Sequence, residues 1–170
     1  MSLSHLTVRR SLRAASALSV AAAATVLAFA VPAPAQAAAA HRDRTVQIER
    51  TFEEVIDLGA VGHSHADLRV TRGIVRSPSG KRIGTYATSQ TTVWAGVDGG
   101  REERSLIMRV TIGANELTMV GMIIAPDGRG PSAKFVVPIE GGTGRYFGAQ
   151  GTLTLIPRGN GVSTLKFDFA

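Results

Sequence analysis

Glu49 and Glu53 lie four residues apart in a segment where Val46, Ile48, Phe52 and Ile56 take the alternate positions. In an extended chain both carboxylates therefore project from one face. Enclosed among apolar side chains, such a carboxylate is raised in pKa by desolvation and can serve as a general acid or base. On an outer face the same pair is solvated, with Val46, Ile48, Phe52 and Ile56 turned inward. His63, His65 and Asp67 alternate in the same way and carry donor types that zinc accepts. No fourth donor accompanies them, so no metal site is expected. A third set is Tyr86, Thr88, Gln90 and Trp94, which with Gly84 and Thr92 occupy every second position. That face combines aromatic area with a few hydrogen-bonding tips, as small-molecule pockets do; alternatively, its aromatic rings fill a solid core. The opposite face, from Ile83 to Val93, suits a neighbouring subunit.

Other chemistry is excluded. The 170 residues contain no cysteine, which removes disulfides, thiolate metal sites and a cysteine nucleophile. No Gly-x-Ser-x-Gly elbow is present, and Ser64 between two histidines does not make a hydrolytic triad. The glycines from Gly141 to Gly151 do not form a phosphate loop, because no helix-forming segment and no Lys-Ser/Thr pair follow them.

The elements that must position these residues come from the remaining sequence. Arg9, Arg10 and Arg13 precede an apolar run from Ala14 to Ala30, and Ala35-Gln36-Ala37 has the small-x-small pattern of a cleavage site. Residues 1–37 read as a signal peptide, residues 38–44 as a polar tail and residues 45–170 as the folded domain. The expected location is secreted, with no membrane attachment after cleavage. The leader's three arginines supply half of the +6 formal charge. With the other basic residues spread evenly and a single Trp and two Tyr, no nucleic-acid partner is expected.

After the leader, seven turn signals rich in Gly, Asn, Asp and Pro separate eight segments rich in Val, Ile, Thr, Leu and Phe. Leu106, Met108, Val110 and Ile112 share one face of their segment, as Leu165, Phe167 and Phe169 do of theirs. Connections this short join antiparallel neighbours. The prediction is an all-β, eight-stranded antiparallel β-barrel, since closure removes the exposed edges of a sheet. Pro138 predicts a bulge or an unpaired position in the sixth strand.

Gly141-Gly142-Thr143-Gly144-Arg145-Tyr146-Phe147-Gly148-Ala149-Gln150-Gly151 resembles the GGTG-K/R-aromatic-x-x-A-x-G signature of dirigent proteins and allene oxide cyclase barrels. Asp57-Leu58-Gly59, Ala66-Asp67-Leu68, Gly80 to Gly84 and Thr164 to Phe169 extend the resemblance over about residues 45 to 170. In that pattern Gly141, Gly142, Gly144 and Gly151 are structural turn residues. The resemblance implies a barrel, commonly trimeric, that binds a small, mostly apolar oxygenated molecule in its lumen and steers a cyclisation or coupling without a cofactor. It places Gln90 at a lumen position, which makes Tyr86, Thr88, Gln90 and Trp94 the ligand-binding face. It also puts Glu49 near an interior glutamate, the candidate catalytic acid or base. Other family positions differ. The cyclase tyrosine and asparagine fall at Pro126 and Gly73, the cyclase cysteine at Gln90, and the dirigent arginines at Phe147 and Gln150. Neither allene oxide cyclisation nor plant phenoxy coupling is therefore implied, and the rival expectation is a non-catalytic carrier or surface-interaction barrel.

Overall fold

The structure, a computed structural model, describes residues 43–97, 100–126 and 129–170; the leader lies outside them. The strands are β1 (Arg44–Ile56), β2 (Leu68–Arg76), β3 (Arg82–Val97), β4 (Arg101–Ile112), β5 (Asn115–Pro126), β6 (Phe135–Gly142), β7 (Gly151–Gly159) and β8 (Val162–Phe169). One 3-10 turn, Gly144–Tyr146, precedes β7. Each strand pairs with the next, and β8 pairs with β1, so the sheet is a closed antiparallel barrel in sequence order. The meander arises because every connection is too short for a parallel crossover.

Alternation fixes what fills the barrel. Leu106, Met108, Val110 and Ile112 on β4 are buried, as are Leu117 and Met119 on β5 and Leu165 and Phe167 on β8. The filling is not uniform along the axis. At the end carrying the β4–β5 and β6–β7 connections, Tyr146 stacks on Phe169 at 6.0 Å and Phe169 on Phe167 at 6.1 Å. Arg44 Nη1 and Arg145 Nη2 donate to the Tyr146 hydroxyl at 3.1 and 2.7 Å, which closes that end.

The glycine-rich segment builds this closure. Gly141, Gly144 and Gly151 have φ of 151°, 59° and 139°. Gly142 is required for space: a Cβ there would lie 2.7 Å from that of Tyr146. Nearby, the β5–β6 register shifts between Thr118 and Met119, and no β5 partner pairs with Pro138, which lies opposite Thr152 of β7.

A bulge in β1 departs from the alternation expected of the sequence. Arg50 lies opposite Gly73, but the next paired residue is Phe52, opposite Arg72, so Thr51 is the extra residue. Even-numbered positions face inward before Thr51 and odd-numbered ones after it. Val46 and Ile48 are accordingly buried, while Phe52 and Ile56 are turned out and Phe52 lies against the Arg72 guanidinium.

Candidate ligand cavity at the open end of the barrel

At the opposite end, beneath the β5–β6 connection and the β7–β8 hairpin, the barrel is hollow. A cavity of about 260 Å³ is lined on one side by Ile48, Leu106, Met108, Phe135 and Leu155. Thr71, Tyr86, Thr88 and Gln90 face it from β2 and β3, and Arg50, Glu53 and Arg69 stand towards its mouth. The Arg50 side chain is 39% exposed and that of Glu53 23%, so the mouth reaches solvent.

Tyr86 reaches this position because of the residue beside it. Gly73 is its partner on β2, and a Cβ there would lie 2.7 Å from Tyr86 Cε1 and overlap the Glu49 carbonyl oxygen. With no side chain at Gly73, the ring lies across the neighbouring strand. The hydroxyl has no hydrogen-bond partner among the described residues. Burial pushes the phenol up to about 12, with Arg50 opposing the rise and Glu53 adding to it. Tyr86 is therefore neutral at ordinary pH and acts as a hydrogen-bond donor.

Gln90 is the second such donor. Its Oε1 accepts from Arg104 Nη1 at 3.3 Å, and its Nε2 has no partner among the described residues. Arg104 itself is 2% exposed. It pairs with the buried Glu102 at 2.7 Å and donates to the carbonyls of Arg129 at 2.6 Å and Pro126 at 3.2 Å. The Thr92 hydroxyl also donates to Glu102, at 3.2 Å. One guanidinium thus orients Gln90 and ties the β5–β6 connection to the barrel wall.

Glu53 meets both Arg50 and Arg69, and the Thr71 and Thr88 hydroxyls bond to each other. Sequence alternation did not place Glu53 apart from Glu49; the Thr51 bulge does. Glu49 takes Arg76 Nε and Nη2, each at 3.0 Å, is 45% exposed and does not line the cavity. The carboxylate that lines the cavity is Glu53. Trp94 is likewise not a cavity residue. Register shifts on both sides turn the end of β3, and the indole is 58% exposed, packed edge-on to His65 at 5.8 Å. Tyr86, Thr88 and Gln90 do line the cavity.

The histidines and Asp67 have separate roles. His63 lies 3.6 Å from Glu102, and His65 Nδ1 lies 3.1 Å from the Val93 carbonyl. Among the described residues no three such side chains converge as a cation would require. Asp67 organises the β1–β2 connection, accepting from the Ser64 N–H at 2.8 Å, the Leu58 N–H at 3.2 Å and the Ser64 hydroxyl at 3.1 Å. The Ser64 N–H leads in holding this carboxyl below its ordinary value, against the opposing effect of burial. A depressed carboxylate stabilises the fold above its unfolded pKa, and that contribution is lost as pH falls through the lower folded value. Asp67→Asn is therefore expected to flatten the loss of thermal stability below about pH 4, as read from melting temperatures between pH 6 and 2. An unchanged acid limb would contradict this role.

No family model and no curated protein matches the sequence. Solved structures do match the barrel. Pyocyanin demethylase is 19% identical with a TM-score of 0.62, over 76% of this chain and all of that one. The Diels Alderase AbmU from Streptomyces koyangensis is 16% identical with a TM-score of 0.59, over 75% of this chain and 64% of that one. The pterocarpan synthase dirigent protein GePTS1 is 11% identical with a TM-score of 0.51, over 75% and 85%. The chain shares its fold with these structures. At such identities the likeness is one of architecture, and this barrel spans just under two thirds of the Diels Alderase.

Proposed function

We propose that the cavity binds a small, mostly apolar oxygenated metabolite and steers its cyclisation or coupling without a cofactor. The observation that carries this reading is the pairing of an apolar wall with two buried donors, Tyr86 Oη and Gln90 Nε2, that have no protein acceptor among the described residues. A buried donor without a partner is costly, and a ligand oxygen would satisfy both groups. With Tyr86 neutral and Glu53 engaged by two guanidiniums, the cavity is best suited to a reaction that needs shape and a hydrogen bond to a carbonyl. Structurally similar proteins include a Diels Alderase and a dirigent protein, which supports the same class.

The proposal includes export and a trimer. Export rests on the composition of residues 1–37. The trimer rests on the resemblance and on an outer face where Ile107, Val120, Met122, Ile124 and Val136 are each 38% exposed or more. Native mass spectrometry of protein from culture supernatant, with 2-naphthamide as the probe, tests these points together. The expected species has three chains beginning near Ala38 and retains the probe, and Tyr86→Phe lowers probe affinity about three- to tenfold. An intact leader on cell-associated protein would refute export, a single chain would refute the trimer, and absence of bound probe would refute the cavity reading.

The alternative is a carrier, favoured by the absence from the cavity of the Glu49 carboxylate. A tethered diene and enone such as a decatrienone separates the two. A steering lumen gives its cyclised product in enantiomeric excess, whereas binding with racemic product leaves the carrier.

A further inference from the structure

A second recess, of about 490 Å³, lies on the outer wall of the barrel across β2 to β5. Short side chains make it. On β3 the methyl of Ala87 stands between Arg72 of β2 and Arg109 of β4, its register partners on either side. Two strand spacings, about 10 Å, separate those arginines, so their long side chains border a gap that Ala87 does not fill. In the next row Thr85 and Thr111 pair and present hydroxyls, and Arg82 bounds the recess towards the β2–β3 connection. Arg72, Arg82 and Arg109 are exposed, and none forms an ion pair among the described residues. Arg72 is held at the edge by the Phe52 ring, 4.7 Å away. The single carboxylate on the recess, Glu116, pairs with none of the three. Glu49 is taken by Arg76, and Glu54 on β1 and Glu140 on β6 do not line the recess. Three guanidiniums therefore face one carboxylate.

We infer that this recess is a second binding site, outside the lumen, for a phosphate monoester. The surplus of two positive charges matches a group that carries close to two negative charges at neutral pH, as a phosphate monoester does and a carboxylate or sulfonate does not. Guanidinium forks meet phosphate oxygens with paired hydrogen bonds, and the Thr85 and Thr111 hydroxyls supply further donors. The space exceeds what a phosphate needs. Its remainder, floored by Ile74 and Ala87, takes the organic part of the ester. The site is separate from the lumen and does not depend on what the lumen binds.

The test titrates phenyl phosphate and benzenesulfonate, similar in shape and different in charge, at pH 7.5 and constant ionic strength, following the arginine Nε–H resonances. Phenyl phosphate is expected to move the signals of Arg72, Arg82 and Arg109 and to bind about tenfold more tightly than benzenesulfonate, the gain of one charge-assisted hydrogen bond. Arg109→Gln should weaken phenyl phosphate about five- to tenfold and Arg109→Lys by less, because lysine keeps the charge and loses the fork. Arg109 is exposed, so its replacement leaves the core intact. Arg101→Gln, an exposed arginine at the start of the same strand, should change nothing. Vesicles of phosphatidylcholine with phosphatidic acid identify the source of the phosphate: retention that phenyl phosphate reverses assigns the recess to a lipid headgroup, and no retention assigns it to a soluble ester. Equal affinities for the two probes, or an Arg109→Gln protein that binds phenyl phosphate as the parent does, would overturn the inference. Displacement of phenyl phosphate by 2-naphthamide would place the ester in the lumen and overturn it as well.

Discussion

Arg104→Met should lower the free energy of unfolding by roughly 3–5 kcal/mol, because it strips the guanidinium from a buried carboxylate. The side chains of Arg104 and Glu102 are 2% and 3% exposed, and Arg104 also donates to Gln90 and to the carbonyls of Arg129 and Pro126. A neutral chain of similar length fills the volume but supplies none of these bonds. The companion variant Glu102→Gln/Arg104→Met tests the cause: with no carboxylate left to desolvate, much of the loss should return. Urea unfolding of the two variants reads the difference. Equal losses in both would show that the carbonyl bonds, and not the charge pair, dominate.

Gly73→Ala should cost about 2–3 kcal/mol and also weaken binding of 2-naphthamide. Gly73 is needed here for space and not for a left-handed backbone. The added methyl would overlap the Glu49 carbonyl oxygen, which is backbone and cannot swing aside, and would press on Tyr86 at 2.7 Å. Relief requires β1 and β2 to part locally or Tyr86 to leave its position, and either change disturbs the cavity. Gly130, where a Cβ meets open space, provides the control, and Gly130→Ala should change stability by no more than about 0.5 kcal/mol. Thermal melts of the two variants side by side check this, and a Gly73→Ala protein as stable as the parent would contradict the packing described for Tyr86.

The barrel was legible because its signals are local. Glycine-rich corners and period-two stripes such as Leu106 to Ile112 need no knowledge of distant contacts. On β3 the resemblance placed Gln90 inward and alternation carried that face as far as Thr92, beyond which the strand end turns and Trp94 faces outward. Glu53 was not legible. A single extra residue at Thr51 exchanges the inner and outer faces of β1, and no alternation of Val, Ile and Phe announces it. The buried charges were partly legible. Extending the Leu106, Met108, Val110 stripe two steps towards the N-terminus reaches Arg104 and Glu102, and the alternation of Val75, Gly73 and Thr71 leads to Arg69. Charged residues are usually solvated, so composition argues against that extension. What the alternation could not supply was the set of distant carbonyls and carboxylates that satisfy those guanidiniums.

The central claim is that the barrel is closed by packed aromatic rings at one end and receives a ligand at the other. Methyl chemical shifts during titration with 2-naphthamide test it most directly. The account predicts perturbations at Ile48, Leu106, Met108 and Leu155, which line the cavity, and none at Ile112 or Leu117 towards the closed end. Perturbations confined to the outer-face residues Ile107, Val120 and Ile124, or spread equally through the closed end, would contradict it.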